Sequence, residues 1–337
     1  MKKQKIITYL LIVSITLLLI NIVIDIFTKK NPEVPPKTEL TAGEIKERFE
    51  NVVSEFGIEK SWIKQKASSK KAGGSATPAY EIMIPQSLPV AVILNELNIL
   101  FRDENLKVTS KEVTKNRETV LRILSDKTLM LEADFIPSAE LTRHTANLGF
   151  IIDDIEKLSD KKVDEILGLP ESFALTLTPS EKAEGLKKKI LESGKEYVTI
   201  LSDDIDEVRF KFSADYNDKR LKGSIRNILG AFGDCKLFIV DESSEIYKAA
   251  FFKTVNADFT ARSLSLIPLH SFVRIKGKDE KDLQSVFRYL CESSNSLGNK
   301  VFMIDADNFL ELKPVLEAYR KKGYKFVFPS SLKFGLK

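Results

Sequence analysis

The sequence predicts an α/β protein in which a parallel sheet or an α/β barrel follows a small α+β domain and an N-terminal transmembrane helix. Three observations lead to this prediction. The first thirty residues contain a long uncharged apolar run, residues 41–140 mix helical and strand patterns, and from residue 147 onward short apolar runs alternate with helical stretches. With 337 residues, of which 43% are hydrophobic, the chain is long enough for about two domains of roughly 150 residues each.

The net charge of +4 lies entirely in the first thirty residues. Of the 52 basic and 48 acidic residues, this segment holds five lysines and a single acidic residue, Asp25, so the rest of the chain is balanced. A neutral body offers no clustered basic face, which excludes nucleic acid as a predicted partner. Because His144 and His270 are the only histidines in the sequence, a single-chain site with three imidazole ligands is excluded as well.

A membrane anchor is predicted within residues 1–30, with its membrane-contacting part at residues 6–27. Nineteen residues, from Ile6 to Ile24, carry no charge, and about 20 apolar residues span a bilayer core of roughly 30 Å. A cleaved signal peptide is the alternative, but its apolar core is shorter, about 7–15 residues, and is followed by a small-residue cleavage site. We expect a single-pass protein of the cell envelope, with a cytoplasmic N-terminus and an extracytoplasmic (periplasmic) body.

A proline-containing linker at residues 31–40 leads to a small α+β domain at residues 41–140. Thr41 and Glu44 form a capping-box pattern, and apolar residues at helical spacing follow until Gly57. The other predicted elements are a helix at Pro89–Phe101 and strands around Trp62 and at Ala79–Ile84, Leu106–Thr114, Thr119–Leu124 and Thr128–Phe135. No motif in this domain indicates a chemistry, so we expect a spacer or a docking module.

Residues 147–337 are predicted to form the parallel sheet or barrel, because strand and helix patterns alternate there. The seven predicted strands are Leu148–Ile152, Phe173–Leu177, Tyr197–Leu201, Lys236–Val240, Ser263–Ile267, Val301–Ile304 and Lys325–Phe328. The predicted helices are Glu181–Glu192, Leu221–Phe232, Lys281–Ser293 and Phe309–Lys322. In such folds ligands bind at the carboxyl ends of the strands, so functional residues are expected at those ends.

Acidic residues follow four of the seven predicted strands. They are Asp153 and Asp154 after the first strand, Asp203 and Asp204 after the third, Asp241 and Glu242 after the fourth, and Asp305 and Asp307 after the sixth. Such carboxylates could hold a divalent cation or act as acid and base, but an Asp after a strand also caps helices. Capping is favoured for Asp203, Asp204 and Asp307. For the Asp153–Asp154 pair both interpretations stay open, because adjacent carboxylates repel one another and need compensation.

Four segments resemble the divergent polysaccharide deacetylase family. They are LGFIIDDI (148–155), LPESFALTLTP (169–179), KLFIVDESS (236–244) and KFVFPSSL (325–332). Their order and spacing extend the resemblance over about residues 147–332 and leave the small domain uncovered. The resemblance implies that the second region is a distorted (β/α)7 barrel and that the protein belongs to carbohydrate metabolism, with a cell-wall glycan as the substrate class.

The resemblance also implies roles for the acidic residues. In related active enzymes an acidic pair at the first strand end supplies a base and a metal ligand, which match Asp153 and Asp154, and a later family aspartate matches Asp241. The family's histidines are missing, with Ile200 at one such position and Asp305 near another. Asp153 is thus the predicted catalytic residue. Asp154, Asp241 and Asp305 are the predicted ligands of an all-oxygen site, for which a divalent metal is the only cofactor indicated.

Two functions are compatible with this pattern. The favoured one is a pseudoenzyme, a non-catalytic scaffold that binds a cell-wall glycan or an envelope protein, because the family's imidazoles are absent. The alternative is an active hydrolase that removes acetyl groups from a glycan through a carboxylate-only metal site, because the Asp153–Asp154 pair is present. Cys235 and Cys291 either pair in an oxidising compartment or are buried thiols.

Overall fold

The computed structural model of the protein describes residues 40–66, 77–113, 118–143, 145–292 and 299–332. The predicted anchor at residues 6–27, nearly all of the linker and His144 lie outside these ranges. Within them, no helix is both long enough and apolar enough to cross a bilayer, and the anchor remains a prediction. The described residues form two compact units, one of residues up to Val53 with Lys60–Ala139 and the other of Ser54–Glu59 with residues from Glu140 onward.

The first unit is a five-stranded sheet with two helices. Its strands are β1 (Ile63–Lys66), β2 (Ala79–Pro85), β3 (Leu106–Val113), β4 (Glu118–Ser125) and β5 (Thr128–Ser138), and its helices are α1 (Ala42–Glu55) and α2 (Val90–Leu100). The strand order is β1-β2-β5-β4-β3, in which β2 and β5 are parallel and the other pairs are antiparallel. The predicted α+β character of this region and the positions of its elements are confirmed to within a few residues.

One apolar face of the sheet and one apolar stripe of α1 form the core of this unit. The capping box at the start of α1 is confirmed: the Thr41 amide donates to Glu44 Oε2 at 2.8 Å, and the Glu44 amide donates to Thr41 Oγ1 at 3.3 Å. Phe49 on α1 contacts the rings of Tyr80 and Phe135, with centroids 5.5 Å and 6.5 Å away. Burial of a phenylalanine of this kind contributes about 1.5–3 kcal/mol, so α1 is held mainly by packing.

The second unit is an α/β fold with eight parallel strands. Its strands are β6 (Asn147–Asp153), β7 (Ala174–Leu177), β8 (Glu196–Leu201), β9 (Phe238–Val240), β10 (Leu266–Pro268), β11 (Val273–Ile275), β12 (Lys300–Asp305) and β13 (Lys325–Phe326). Its helices are α3 (Asp160–Leu167), α4 (Glu181–Glu192), α5 (Asp218–Phe232), α6 (Glu245–Lys248), α7 (Phe252–Thr260), α8 (Glu280–Glu292), α9 (Ala306–Glu311) and α10 (Lys313–Lys322).

The sheet is a curled half-barrel in which β6 lies between β7 and β12 and also pairs with β13. The order is β10-β9-β8-β7-β6-β12-β11, and all neighbours are parallel. β12 pairs with nearly the whole length of β6, whereas β13 pairs with its first two residues and β7 with Ile151 and Ile152 further along. From β6 the chain adds β7, β8, β9 and β10 in turn toward one edge of the sheet. It then crosses to the other edge, where β11 lies, and returns to β6 through β12. This order is consistent with the predicted (β/α) barrel.

Side chains alternate along these strands between an inner and an outer core. The inner cluster consists of Ile151, Ala174, Val198, Ile239, Ile267, Phe272 and Met303. The outer cluster packs the helices against the sheet and is rich in aromatic rings; Phe150, for example, has the rings of Phe302 and Phe309 at 5.6 Å and 5.3 Å. A sheet buried on both faces requires the continuous apolar runs by which these strands were predicted.

A glycine in β6 lets the segment after β13 pack against the sheet. A Cβ atom on Gly149 would lie 3.2 Å from Leu332 Cδ1 and 3.3 Å from the Cα atom of Pro329, both of which are buried. The segment is fixed by the Val327 amide, which donates to the Leu148 carbonyl at 3.0 Å. The PSSL sequence that supported the family resemblance therefore covers the amino end of β6, opposite the end where the acidic residues lie.

Two predictions for this unit need correction. The sequence predicted one strand at Ser263–Ile267, but the structure has β10 at Leu266–Pro268 and, shortly after it, β11, which was not predicted. Three residues whose burial increases from Val273 to Ile275, with a charged residue between them, give too short an apolar run to be recognised as a strand. The predicted helix Phe309–Lys322 is two helices, α9 and α10, because Pro314 lies in the first turn of α10 and cannot continue the preceding helix.

The two cysteines are separate, buried thiols. Cys235 accepts a hydrogen bond from the Thr199 amide at 3.1 Å and packs in the outer core, as does Cys291. Burial raises the pKa of Cys235 to about 11 and that of Cys291 to about 12. Little thiolate exists at neutral pH, so neither cysteine is suited to nucleophilic chemistry.

Replacing Gly149 with valine should lower the free energy of unfolding by about 1–3 kcal/mol, since the added methyl groups overpack the contact with Pro329 and Leu332. Urea denaturation measures the change. The control is Gly185→Ala on α4, where a Cβ meets nothing within 4 Å and helix propensity should add about 0.5–1 kcal/mol. Equal stability of Gly149→Val and the wild type would contradict the proposed packing.

Candidate functional site

The carboxyl ends of β6 and β12 bring two of the predicted residues together. Asp153 and Asp305 are paired in the register of these two strands. β11 lies on the other side of β12, where Arg274 is opposite Met303. Asp153 and Asp305 therefore belong to one cluster, and the cation that joins them comes from the strand that was not predicted.

Arg274 bridges the two carboxylates. Its Nη2 donates to Asp153 Oδ2 at 2.5 Å and its Nη1 donates to Asp305 Oδ1 at 3.3 Å. Asp153 Oδ1 accepts two further hydrogen bonds, from the Thr176 hydroxyl at 2.6 Å and from the Asp154 amide at 3.0 Å. Three of the roughly four acceptor positions of the Asp153 carboxylate are thus used.

This bridge compensates a repulsion that the fold would otherwise impose. Two carboxylates at adjacent strand ends disfavour each other's charge, and a guanidinium between them reverses the balance. The Asp153 side chain is 15% exposed, against 34% for Asp305, so Asp153 depends more on the arginine. Because a charge left unpaired at a partly buried position is costly, Arg274 is required for the local stability of this end of the sheet.

Asp154 points to a different partner from Asp153. It is the residue after β6 and has a left-handed backbone, with φ of 59°. Its carboxylate pairs with Lys157 at 2.8 Å, and its side chain is 44% exposed. The two neighbouring aspartates thus have separate partners, Arg274 for one and Lys157 for the other.

The acidic residues after β8 and β9 accept hydrogen bonds from backbone and side chains near this end of the sheet. Asp241 Oδ1 accepts hydrogen bonds from the amide of Ser243 at 2.8 Å and from its hydroxyl at 2.7 Å. Asp203 accepts from the amides of Glu245 and Ile246, at 2.8 Å and 3.3 Å, in the first turn of α6, whose N-cap residue is Ser244. Asp203 therefore stabilises a helix end, but not that of the helix after its own strand, whose N-cap residue is Asn217.

Glu156 is a further acidic residue near this end of the sheet, which the sequence reasoning missed. It lies in the helical turn Ile155–Lys157 after β6. Its Oε2 accepts from the Thr178 amide at 3.4 Å, while its Oε1 is buried and has no hydrogen-bond partner among the described residues. Burial raises the pKa of this carboxyl group, against the opposing effect of the Thr178 hydrogen bond.

His270 and Glu242 form an exposed pair after β10 and β9. The His270 amide donates to Glu242 Oε2 at 3.2 Å, and Glu242 Oε1 contacts the imidazole Nδ1. The imidazole is 75% exposed. The pair holds the short turn before β11 in place, in agreement with a hydrogen-bonded structural role for this histidine.

These side chains, as they stand, do not fit a bound divalent cation. Arg274 takes up Asp153 and Asp305, Asp154 pairs with Lys157, and Asp241 accepts from Ser243. In the ranges that the structure describes, no group of three or more His, Cys, Asp or Glu side chains could hold a metal ion. The predicted metal ligands Asp154, Asp241 and Asp305 therefore gain no support from the structure.

The residue that defines the site is one that the sequence reasoning missed. The acidic residues indicated the carboxyl edge of the sheet, but Arg274 lies in VRI, a three-residue strand with a charge at its centre. The one available signal was electrostatic, because adjacent carboxylates predict a nearby cation.

Comparison with known proteins finds relatives only among solved structures. No protein-family model matches the sequence, and no curated protein matches it. The chain is similar to a mutant of BA3943, described as a carbohydrate esterase family 4 (CE4) pseudoenzyme with restored enzymatic activity, at 13% identity and a TM-score of 0.38, over 71% of this chain and 97% of that one. A second BA3943 mutant, described as a CE4 pseudoenzyme, has 12% identity and a TM-score of 0.36, over 71% and 96% of the two chains.

A third similar structure is PdaA of Bacillus subtilis, a family 4 carbohydrate esterase, at 14% identity and a TM-score of 0.35. The match covers 58% of this chain and 82% of that one. At these identities and TM-scores the likeness assigns no activity to this chain.

Replacing Arg274 with methionine should lower the free energy of unfolding by about 1–3 kcal/mol at pH 7, because Asp153 and Asp305 lose their shared cation. Arg226→Met, at an exposed position on α5, is the matched control. Both variants are compared with the wild type by urea denaturation.

The effect of divalent cations on stability distinguishes the loss of the Arg274 charge from the loss of its side-chain packing. Without the guanidinium, millimolar Mg²⁺ or Mn²⁺ should stabilise Arg274→Met by mass action and leave the wild type unchanged. If Arg274→Met were as stable as Arg226→Met and indifferent to divalent cations, the bridge would have no energetic role.

Glu156→Gln should change the pH dependence of stability. Because the pKa of Glu156 is raised in the folded state, the folded protein keeps this proton at pH values above the ordinary pKa of 4.5. The unfolded protein has already lost the proton at these pH values. Wild-type stability then falls as the pH rises through this window. Glutamine stays neutral, so the free energy of unfolding of the variant, relative to that of the wild type, should increase between pH 4 and pH 7 in urea titrations. A constant difference over this range would show that the carboxyl group titrates normally.

Proposed function

We propose that this protein is a non-catalytic, carbohydrate-binding barrel of the cell envelope, anchored by residues 6–27 and directed at a cell-wall glycan. The observation that carries the proposal is the bridge from Arg274 to Asp153 and Asp305. The residue that would act as the base and a residue that would bind the metal are both engaged by a side chain of the chain itself.

The bridge leaves the site without the two things that deacetylation by the family's route requires. A general base must reach the proton that it abstracts, but Asp153 already accepts from Arg274, Thr176 and the Asp154 amide. A metal that activates water needs ligands around an open coordination position, and the nearest candidate carboxylate, Asp305, faces the guanidinium. This arrangement of Asp153, Asp305 and Arg274 favours a structural role over a catalytic one.

Binding to carbohydrate is supported by the sequence resemblance to the divergent polysaccharide deacetylase family over residues 147–332. The PSSL segment and the alternating strands match the scaffold of that family, and the loops after the strands lie where binding loops lie on a rigid sheet. The envelope location is supported by the nineteen uncharged residues from Ile6 to Ile24 with flanking lysines.

The proposal predicts binding without turnover. The full chain in detergent should be retained on insoluble cell-wall glycan, release no acetate from acetylated glycan, and carry well under one divalent metal per chain after incubation with Zn²⁺, Mg²⁺ or Mn²⁺. Sedimentation, acetate quantification and elemental analysis measure these three quantities. Bovine serum albumin, processed in parallel, sets the background of nonspecific retention.

The alternative of an active hydrolase has a distinct signature. Stoichiometric metal together with acetate release, both lost in Asp153→Asn and retained in Asp307→Asn, would overturn the non-catalytic proposal. Asp307 is a suitable control because it lies after the same strand as Asp305 but pairs on the surface with Lys162. If the chain were not retained on cell-wall glycan, the proposal that it binds carbohydrate would be wrong.

A further inference from the structure

A cavity of about 260 Å³ opens between the loops that follow β8 and β9. Small-molecule sites in proteins usually have volumes of roughly 300–1,000 Å³, so this cavity is suited to one ring and not to a larger ligand. It lies among loops at the carboxyl ends of the strands and involves none of Asp153, Arg274 and Asp305. We call it the Phe251 cavity, after the aromatic residue in its wall.

The apolar wall of the Phe251 cavity is built from stacked aromatic rings. Phe212 and Phe251 are 6.3 Å apart between centroids, with an angle of 25° between their planes. Phe212 is buried, whereas Phe251 is partly exposed, and Ile246 from α6 completes the wall. Phe251 therefore presents ring surface to the cavity on a support that the core holds in place.

The polar wall offers both acceptors and donors. Asp203 is held by the amides of Glu245 and Ile246, at 2.8 Å and 3.3 Å, which fixes its carboxylate at the cavity. Lys248 brings an ammonium group that pairs with Glu245 at 3.3 Å. The Ser213 hydroxyl accepts from the Asp215 amide at 3.3 Å and keeps its own proton to donate.

The charges and shape select the class of ligand. Two carboxylates, of Asp203 and Glu245, against the one ammonium of Lys248 give the polar wall a net negative charge, which disfavours an anion. A neutral molecule with an apolar face and a rim of hydroxyl groups matches both walls, because its C–H face can lie on the Phe251 ring while its hydroxyls pair with Asp203 and Lys248. A pyranose sugar has this form.

We propose that the Phe251 cavity binds one pyranose unit that carries no negative charge. The proposal rests on the carbohydrate-binding function above and adds the place on the protein where one sugar of the glycan is held. Affinity for a free monosaccharide is expected in the millimolar range, since one ring makes few contacts and pays the full cost of losing its free motion.

Binding of monosaccharides to the full chain in detergent tests the cavity. Glucose, N-acetylglucosamine and glucuronate are titrated and followed by saturation-transfer-difference NMR. The two neutral sugars should bind, and the anionic glucuronate should bind at least fivefold more weakly, because the cavity lining has a net negative charge. Phe251→Ala and Lys248→Ala should each weaken neutral-sugar binding tenfold or more, and Tyr289→Ala, a 70% exposed aromatic residue outside the cavity, should leave it unchanged.

Lys248→Ala guards against a failure to fold, because Lys248 is exposed and its loss removes no core contact. Unchanged sugar binding in folded Lys248→Ala and Phe251→Ala, or a preference for glucuronate over glucose, would overturn the cavity proposal. If such variants and the wild type were still retained on cell-wall glycan, the proposed function would stand and the sugar site would lie elsewhere. If the wild type bound neither glycan nor monosaccharide, both proposals would fall.

Discussion

The guanidinium of Arg274 between Asp153 and Asp305 is the interaction on which this edge of the sheet depends. The parallel register of β6 and β12 places two carboxylates side by side, and like charges at such a distance need a cation. An arginine supplies that cation permanently, because its guanidinium does not lose its proton in proteins. A metal ion would compensate the same charges only while bound. The half-barrel therefore keeps its carboxyl-end edge intact without a bound cation.

The elements of the fold differ in how well the sequence predicts them. The capping box of Thr41 and Glu44 and the long helix Glu181–Glu192 were predictable, because local patterns determine them. β11 was not, since three residues with a charged centre carry no recognisable period and are held as a strand only by β12 beside them. The split at Leu312 could have been predicted from Pro314. Prediction thus succeeded where local sequence preference and tertiary structure agree. It failed where pairing with a neighbouring strand determines the conformation.

For the candidate site, the sequence indicated one end of the sheet but not the partners of its acidic residues. Acidic residues at four strand ends indicated where to look, but they do not converge on one point. Asp241 and Asp203 stabilise loops, and Asp154 pairs with its own turn. Which carboxylates share a cation depends on strand register and on side chains far away in the sequence, such as Arg274, which is 121 residues from Asp153. No spacing rule within one segment contains that information.

The packing of Pro329 and Leu332 against Gly149 has a consequence for how the chain reaches its native state. β6 is the first strand of the half-barrel to be synthesised, yet two of its partners, β12 and β13, are among the last. This strand thus waits with an unpaired, apolar edge while some 170 residues emerge, and non-local pairing of this kind is slow and prone to aggregation. Ribosome-bound intermediates should therefore need protection by a holding chaperone until residues 325–332 are available.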